Sequence, residues 1–487
     1  MQTATNPAAA VTPEQLRALV DQRVDAKLSD LAAQADALPA LVGRMDVLHQ
    51  YVGVFLVAFL VTILAVPLVR RLAIANGIVD RPDETRKMHK FPIAYMGGVG
   101  VYLGLMAGVL FSYTWPWHGL LQTHVTTHLT EDGFAFRVPI SVLGGMTIIM
   151  LVGLLDDVLN ISPWQKIGGQ LLAAAFLAME DVGVRVAYQI VYPIATWVGG
   201  ATDPANQTWI LFSVPYLGPF DVVYWSGTAI IAVFVLGACN ASNLIDGLDG
   251  LLSGVTAIAA IGLLIVGLGL AVADAGRFDS ARVIMCLALL GACMGFLPHN
   301  FNPAVIFLGD AGSLLLGYVT IVIVLTLGDQ GRTDLVIAGL VIYAIPVIDT
   351  ILAIVRRKLT GKSIADADDQ HLHHMFKRAL GVKGAVLTLY LIGFGFAGLG
   401  VWLATSRARV TYALAMVFAL FIGVMAIKVA RRKAFEEQML AKYGPAQPGA
   451  GGAGAAAAGA SVADGAEAGG NRAIEGMTGT VGAVKVG

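Results

Sequence analysis

Five short runs of this sequence concentrate residue types that bind phosphate or a hard cation. Arg86-Lys87-Met88-His89 precedes Met96-Gly97-Gly98, a basic cluster beside paired glycines that let a backbone or an anionic ligand come close. Asp156 and Asp157 are adjacent carboxylates ending an apolar stretch. Placed in lipid, each would cost about 2.5–3.5 kcal/mol and each would raise the pKa of the other, so a divalent cation or a proton-accepting role would offset their burial. Asn240, Asn243, Asp246 and Asp249 recur at every third position, with Gly247 and Gly250 among them. That spacing drifts around an α-helix but stacks on one face of a 3-10 turn. Amide and carboxylate oxygens so arranged suit a hard cation and a nucleoside. In Phe307-Leu308-Gly309-Asp310-Ala311-Gly312-Ser313 an acid flanked by glycines opens an apolar span, where backbone N–H groups favour anions. His371, His373 and His374 lie in a basic loop at a spacing unlike HExxH, which points to phosphate contact rather than zinc. Asp349 is a further acid within an apolar span, expected to be paired inside the protein.

The elements that must position these groups are apolar. Of 487 residues, 57% are hydrophobic and 13% charged, against about 25% charged in a soluble chain. That balance excludes a single soluble domain, a collagen and, for most of the length, disorder. A net charge of −1 with no basic domain excludes a nucleic-acid binder. Eleven apolar segments approach the ~20 residues needed to cross hydrocarbon. They fall near 51–69, 95–114, 138–155, 164–180, 222–239, 255–273, 281–297, 311–327, 334–355, 383–405 and 409–428. The expected fold is therefore an all-α polytopic membrane protein, about eleven helices in one bundle over residues 51–430. Loops after the odd-numbered spans hold nineteen of the basic residues and the opposite loops seven, which places the first set in the cytoplasm. All five polar runs sit at that end of the spans.

The flanks and connections carry less chemistry. Thr12-Pro13-Glu14-Gln15 has the marks of a helix start, and Leu16, Leu19, Val20, Val24, Leu28 and Leu31 follow at helical spacing. Residues 1–50 are read as an amphipathic extension without catalytic role, and Met1 to Ala10 lacks the features of a secretory signal. Residues 431–487 are read as a cytoplasmic tail, Ala/Gly-rich and disordered from about 444. The segment 181–221 alternates β-branched and aromatic residues (Val184 to Tyr192, Trp209 to Tyr216), predicting a small extracytoplasmic β-hairpin. Cys239, Cys286 and Cys293 lie in apolar runs and read as buried hydrophobes.

Taken in order, Lys87/His89 with the paired glycines, Asp156-Asp157, the NxxNxxDGxDG run, GDxGS and HxHH resemble the polyprenyl-phosphate N-acetylhexosamine-1-phosphate transferases. The resemblance covers roughly residues 51–430 and implies an enzyme. Such an enzyme transfers a sugar 1-phosphate from a UDP-N-acetylhexosamine to undecaprenyl phosphate, releases UMP and requires magnesium, or manganese in its place. By motif, Asp310 and Asn243 would hold the metal, and Asp156 with Asp157 would accept or position the lipid phosphate. Asn240, Asp246 and Asp249 would serve the nucleotide site with Lys87 and His89 near the same ligand, and His371, His373 and His374 would bind the diphosphate or sugar. Phe91 to Gly98 and His371-Leu372-His373-His374 depart from the related phospho-N-acetylmuramoyl-pentapeptide transferase and favour UDP-GlcNAc, for cell-envelope polysaccharide synthesis at the bacterial inner membrane. The alternatives are that peptidoglycan enzyme, or, from another class, a nucleotide-sugar or lipid transporter. A transporter's acids are expected near mid-membrane between internal repeats, whereas here they gather at one end. A homo-oligomer is compatible with the sequence and not required by it.

Overall fold

A chain in hydrocarbon must satisfy its backbone N–H and C=O groups internally, and this one does so with helices. The computed structural model describes residues 23, 27, 43–80, 92–114, 138–198, 202–203, 206–214, 218–273, 278–359 and 371–443. Among them run α1 (Arg44–Ala75), α2 (Gly97–Thr114), α3 (Ile140–Leu159), α4 (Pro163–Met179), α5 (Tyr188–Val198) and α6 (Val222–Ile245). They are followed by α7 (Leu251–Val272), α8 (Asp279–Asn300), α9 (Gly309–Leu327), α10 (Thr333–Ile342), α11 (Ala344–Leu359), α12 (Leu372–Thr405) and α13 (Ala408–Tyr443). The chain is a multi-pass membrane protein.

Each of the eleven expected segments overlaps a helix, but the helices differ in kind. Among the described residues seven are long and apolar enough to cross a membrane, or up to nine when each bent pair counts as one span. One bent pair runs from Pro163–Met179 to Val184–Val198 at 89°, the other from Thr333–Ile342 to Ala344–Lys358 at 87°. Two shorter apolar helices, Gly97–Tyr113 and Ala408–Val417, fall on the remaining segments. α9 forms the centre: 94% of its apolar stretch is buried, against 28% of α1, which faces outward. Small residues allow the close packing. A Cβ on Gly98 would stand 2.1 Å from the Gly312 backbone nitrogen, so only glycine lets α2 rest against the start of α9.

The expected hairpin forms only in its second half. β4 (Thr208–Val214) pairs antiparallel with β5 (Gly218–Asp221), and β3 (Thr202–Asp203) adds to β4. Val184–Ala187 is instead a 3-10 turn that leads into α5. Its alternation of apolar residues suited a strand, yet burial of Val184, Val186 and Ala187 against the bundle is met by a turn and a helix. Two further strands, β1 (Val79–Asp80) and β2 (Ile93–Ala94), pair antiparallel, and Ala94 bridges Ile306.

The chain divides into two units, Met1–Ala430 and Arg431–Gly487. All that follows concerns the first; the described part of the second is helical, residues 431–443. The N-terminal extension before residue 43, apart from Arg23 and Lys27, and the Ala/Gly-rich segment from 444 lie outside the described residues.

Candidate active site

The first turn of α9 sets the site. Gly309 adopts φ +72°, a left-handed conformation that a side chain would resist, and a Cβ there would meet Asp157 Oδ2 at 2.5 Å. Because that space is open, Asp157 caps the helix. Its Oδ1 accepts the Asp310 N–H at 2.7 Å and its Oδ2 the Ala311 N–H at 3.0 Å. Of the two adjacent acids on α3, Asp157 is thus committed to backbone and holds the turn that carries Asp310.

Asp156 faces the other way. Its Oδ2 lies 2.6 Å from Lys166 Nζ, which also donates to Asp310 Oδ2 at 2.7 Å. Asn243, in the last turn of α6, donates to Asp310 Oδ1 at 2.8 Å and to Ser313 Oγ at 3.0 Å. Four elements therefore meet on one carboxylate: α3, α4, α6 and α9. Lys166 went unassigned in the sequence, where it reads only as a positive-inside anchor at the start of α4. The Gln165 side chain folds back to the Ser162 N–H at 2.8 Å, a capping box that fixes this first turn and so the base of Lys166.

The triplet-spaced run does not form a 3-10 turn. Asn240 and Asn243 end α6, Asp246 caps it, and Gly250 at φ +77° starts α7. The polar positions consequently diverge. Asn240 is exposed and donates to Gln170 Oε1 at 3.0 Å, away from the pocket. Asn243, Asp246 and Asp249 line a cavity of about 340 Å³ together with Tyr95, Asn300, Phe307 and Asp310. Asp249 Oδ2 accepts from Asn302 Nδ2 at 2.8 Å and from the Ala304 N–H at 3.1 Å, tying the Asp246–Gly250 loop to the segment after α8. Asn300 accepts the Gly250 N–H at 3.0 Å and donates to the Ile306 carbonyl at 3.1 Å, closing the same loop from behind.

Electrostatics mark this cavity as anion-rich. Burial first, and then the charges of Asp310, Asp157 and Asp249, push Asp246 up to about 8. Burial and the charges of Asp80, Asp157, Asp246 and Asp310 push the Tyr95 phenol up to about 12, which keeps it a hydroxyl donor at neutral pH. Tyr95 packs edge-on to Phe307 with ring centroids 5.8 Å apart, giving an otherwise polar cavity one aromatic wall.

The histidine motif, at the start of α12, packs behind Gly247, which lines the same cavity. His371 Nδ1 lies 3.0 Å from Asp349 Oδ2, and His373 packs so closely on Gly247 that a Cβ there would stand 2.5 Å from His373 Nε2. His373 and His374 have ring centroids 4.2 Å apart. Lys87 and His89 lie outside the described residues. The strands on either side of that segment are in place: Asp80 pairs with Ile93, and the Phe307 N–H donates to the Ala94 carbonyl at 2.9 Å. Residues before and after the basic run thus stand beside the pocket's aromatic wall.

The chain is similar to known proteins over most of its length. Residues 139–328 match the model of glycosyl transferase family 4. The chain is 32% identical over 375 residues to a decaprenyl-phosphate N-acetylglucosaminephosphotransferase of Mycolicibacterium smegmatis, covering 72% of this chain and 82% of that protein. It is 31% identical over 392 residues to the Mycobacterium tuberculosis protein of the same name, covering 76% and 88%. An undecaprenyl-phosphate alpha-N-acetylglucosaminyl 1-phosphate transferase of Escherichia coli is 29% identical over 334 residues, covering 66% and 75%.

Proposed function

The chain belongs to glycosyl transferase family 4, and on that footing we propose that it transfers N-acetylglucosamine 1-phosphate from UDP-GlcNAc to a polyprenyl phosphate, releasing UMP. Family membership supports the phosphoglycosyl transfer. The observation that carries the site is the meeting of Asp156, Lys166, Asn243 and Asp310, the last two of which line an acidic cavity.

Phosphoryl transfer needs two anions brought together, and catalysis rests on positioning and charge. The donor's diphosphate would lie over Asp310 and Asn243, with its nucleoside in the cavity lined by Asp246, Asp249, Tyr95 and Phe307. A hard cation suits this place. Asp310, Asn243 and Asp156 offer oxygen donors, and positive charge would offset both the burial of Asp246 and its repulsion by neighbouring carboxylates, which together raise it. Magnesium bound there would complete its shell from phosphate oxygens and water. When bound, magnesium would neutralise the diphosphate and the charge that develops on the leaving phosphate.

The chain's own residues do the rest. Lys166 presents its ammonium between Asp156 and Asp310 and is placed to draw in the acceptor phosphate. Asp156, beside it, orients that phosphate or takes its last proton as an oxygen attacks the donor's β-phosphorus. Asp157 keeps Asp310 aimed by holding the first turn of α9. His371, His373 and His374 face the diphosphate or sugar from the Gly247 side, with Lys87 and His89 near the same ligand. On this reading the reaction runs at the cytoplasmic face of the inner membrane, where a water-soluble donor and a lipid acceptor can both arrive; the excess of basic residues in the loops at that end supports it.

The deciding experiment offers purified protein in detergent a panel of UDP-GlcNAc, UDP-GalNAc and UDP-MurNAc-pentapeptide with undecaprenyl phosphate, with and without magnesium. Expected is UMP release with UDP-GlcNAc, dependent on magnesium and lost in Asp310→Asn. Preference for the pentapeptide donor would move the chain to the peptidoglycan branch. Undiminished turnover in Asp310→Asn would remove this site from the reaction.

A further inference from the structure

A carboxylate inside a membrane bundle is costly unless it is fully engaged, and Asp349 is a buried acid to which the proposed reaction gives no part. It lies on α11, is 3% exposed, and reaches the site only because the chain turns by 87° between α10 and α11. The turn is pinned to the site's own helix: the buried Tyr343 hydroxyl is 2.6 Å from Ser242 Oγ, one residue before Asn243. From there Asp349 uses both oxygens on the histidine motif. Oδ1 accepts the Leu372 N–H at 2.8 Å, fixing the first turn of α12, and Oδ2 is 3.0 Å from His371 Nδ1 and 3.7 Å from His373 Nδ1. His371 stacks on His373 with centroids 5.6 Å apart and planes 15° from parallel. His373 is 1% exposed, its Nδ1 has no hydrogen-bond partner among the described residues, and its Nε2 edge lies against Gly247 at the cavity wall.

We infer that Asp349 is a positioning residue for the transfer, holding His371 and His373 so that their Nε2 edges are presented to the donor diphosphate at the Gly247 rim. This inference rests on the proposed function and adds to it. With Nδ1 of His371 bonded to Asp349, Nε2 is the one ring nitrogen left to meet a ligand, and the stacking carries that orientation to His373. A carboxylate that fixes the ring behind a working imidazole is a general device. Removing such a partner costs about 10–100-fold in affinity or activity where it has been measured behind metal-bound histidines.

The test compares Asp349→Asn, Asp349→Glu and Asp310→Asn in the full-length purified enzyme, with UDP-GlcNAc varied at saturating undecaprenyl phosphate. Histidine side-chain 15N spectra are recorded for each folded variant. Asp349→Asn is expected to raise the KM for UDP-GlcNAc about 10-fold or more and to shift the His371 Nδ1 resonance. Asp349→Glu is expected to restore part of both. Wild-type kcat and KM in a folded Asp349→Asn protein overturn the inference, as does a loss of activity with unchanged histidine resonances, which would mark a merely structural residue. If Asp310→Asn stays active, the functional reading itself fails. If Asp310→Asn is dead while Asp349→Asn matches wild type, only the present inference does.

Discussion

Lys166 Nζ stands 2.7 Å from Asp310 Oδ2, joining residues 144 positions apart in the chain. With Asp156 at 2.6 Å on its other side, the ammonium occupies the point between two carboxylates where a cation is wanted. Such a bridge offsets part of the site's negative charge before any ligand arrives. It also means that a metal at Asp310 must share that carboxylate with Lys166 or move it aside.

Lys166→Met keeps most of the stem volume and removes the charge. Turnover is expected to fall about 10²–10³-fold, the usual cost of deleting one electrostatic contact to a reacting anion. Magnesium affinity at Asp310 is expected to rise in the same variant, since a competing cation has gone. Isothermal titration with magnesium, set beside UMP release, checks both directions; a variant that loses turnover and magnesium affinity together would place Lys166 outside the acceptor's path.

Asp246 has a raised pKa, so the folded, cation-free protein favours its protonated form. Its contribution to stability is complete below the ordinary value of 3.8 and is lost as pH rises through about 8. Thermal unfolding in detergent with a chelator should therefore drop in midpoint between about pH 4 and 8. Asp246→Asn should flatten that drop, and added magnesium should move it to lower pH by favouring the carboxylate. Superimposable profiles for wild type and Asp246→Asn would count against the raised value.

Gly98 lies where α2 meets α9, with a virtual Cβ 2.1 Å from the Gly312 nitrogen. Backbone cannot yield as a flexible side chain does, so Gly98→Ala is expected to cost at least about 1–3 kcal/mol. It should also lower activity, because the displaced turn carries Asp310. Gly168→Ala is the control, since nothing lies within 4 Å of its virtual Cβ. Melting curves of the two variants should differ in midpoint by several degrees, and equal curves would refute the packing account.

The legibility of this protein divides along physical lines. Apolar segments long enough for hydrocarbon could be read directly, because the bilayer demands them whatever their neighbours do. The breaks within segments 164–180 and 334–355 could not. The bend at Tyr343 is held by Ser242, 101 residues away, and no local period records such a contact. Within the site, Asp310 and Asn243 stand out in the sequence because polar residues at a membrane edge are costly and conspicuous, and the fold brings them within 2.8 Å of each other. Division of labour between Asp156 and Asp157 does not stand out, since it depends on which carboxylate faces the N–H groups of α9. Lys166 was hidden by its own ordinariness: one lysine at a helix start is what the positive-inside rule leads one to expect. Val184 to Tyr192 misled for the converse reason, an alternating pattern whose burial against the bundle is served by a 3-10 turn and a helix.

Orientation remains the claim on which the cellular reading depends, and it can be tested at two tryptophans. Trp164 is 81% exposed at the start of α4, two residues from Lys166, and Trp197 is 87% exposed near the end of α5, beyond the 89° bend. If α4 crosses the bilayer, these residues lie at opposite faces. The native cysteines offer little background because Cys239, Cys286 and Cys293 are all buried. In cells carrying Trp164→Cys or Trp197→Cys, a membrane-impermeant maleimide added outside should label position 197 and leave position 164 untouched. Opening the membrane should then expose position 164 to the same reagent. Labelling of 164 from outside would invert the protein and put the acidic cavity on the face where no UDP-sugar is supplied. Labelling of both from one side would mean that α4 does not cross.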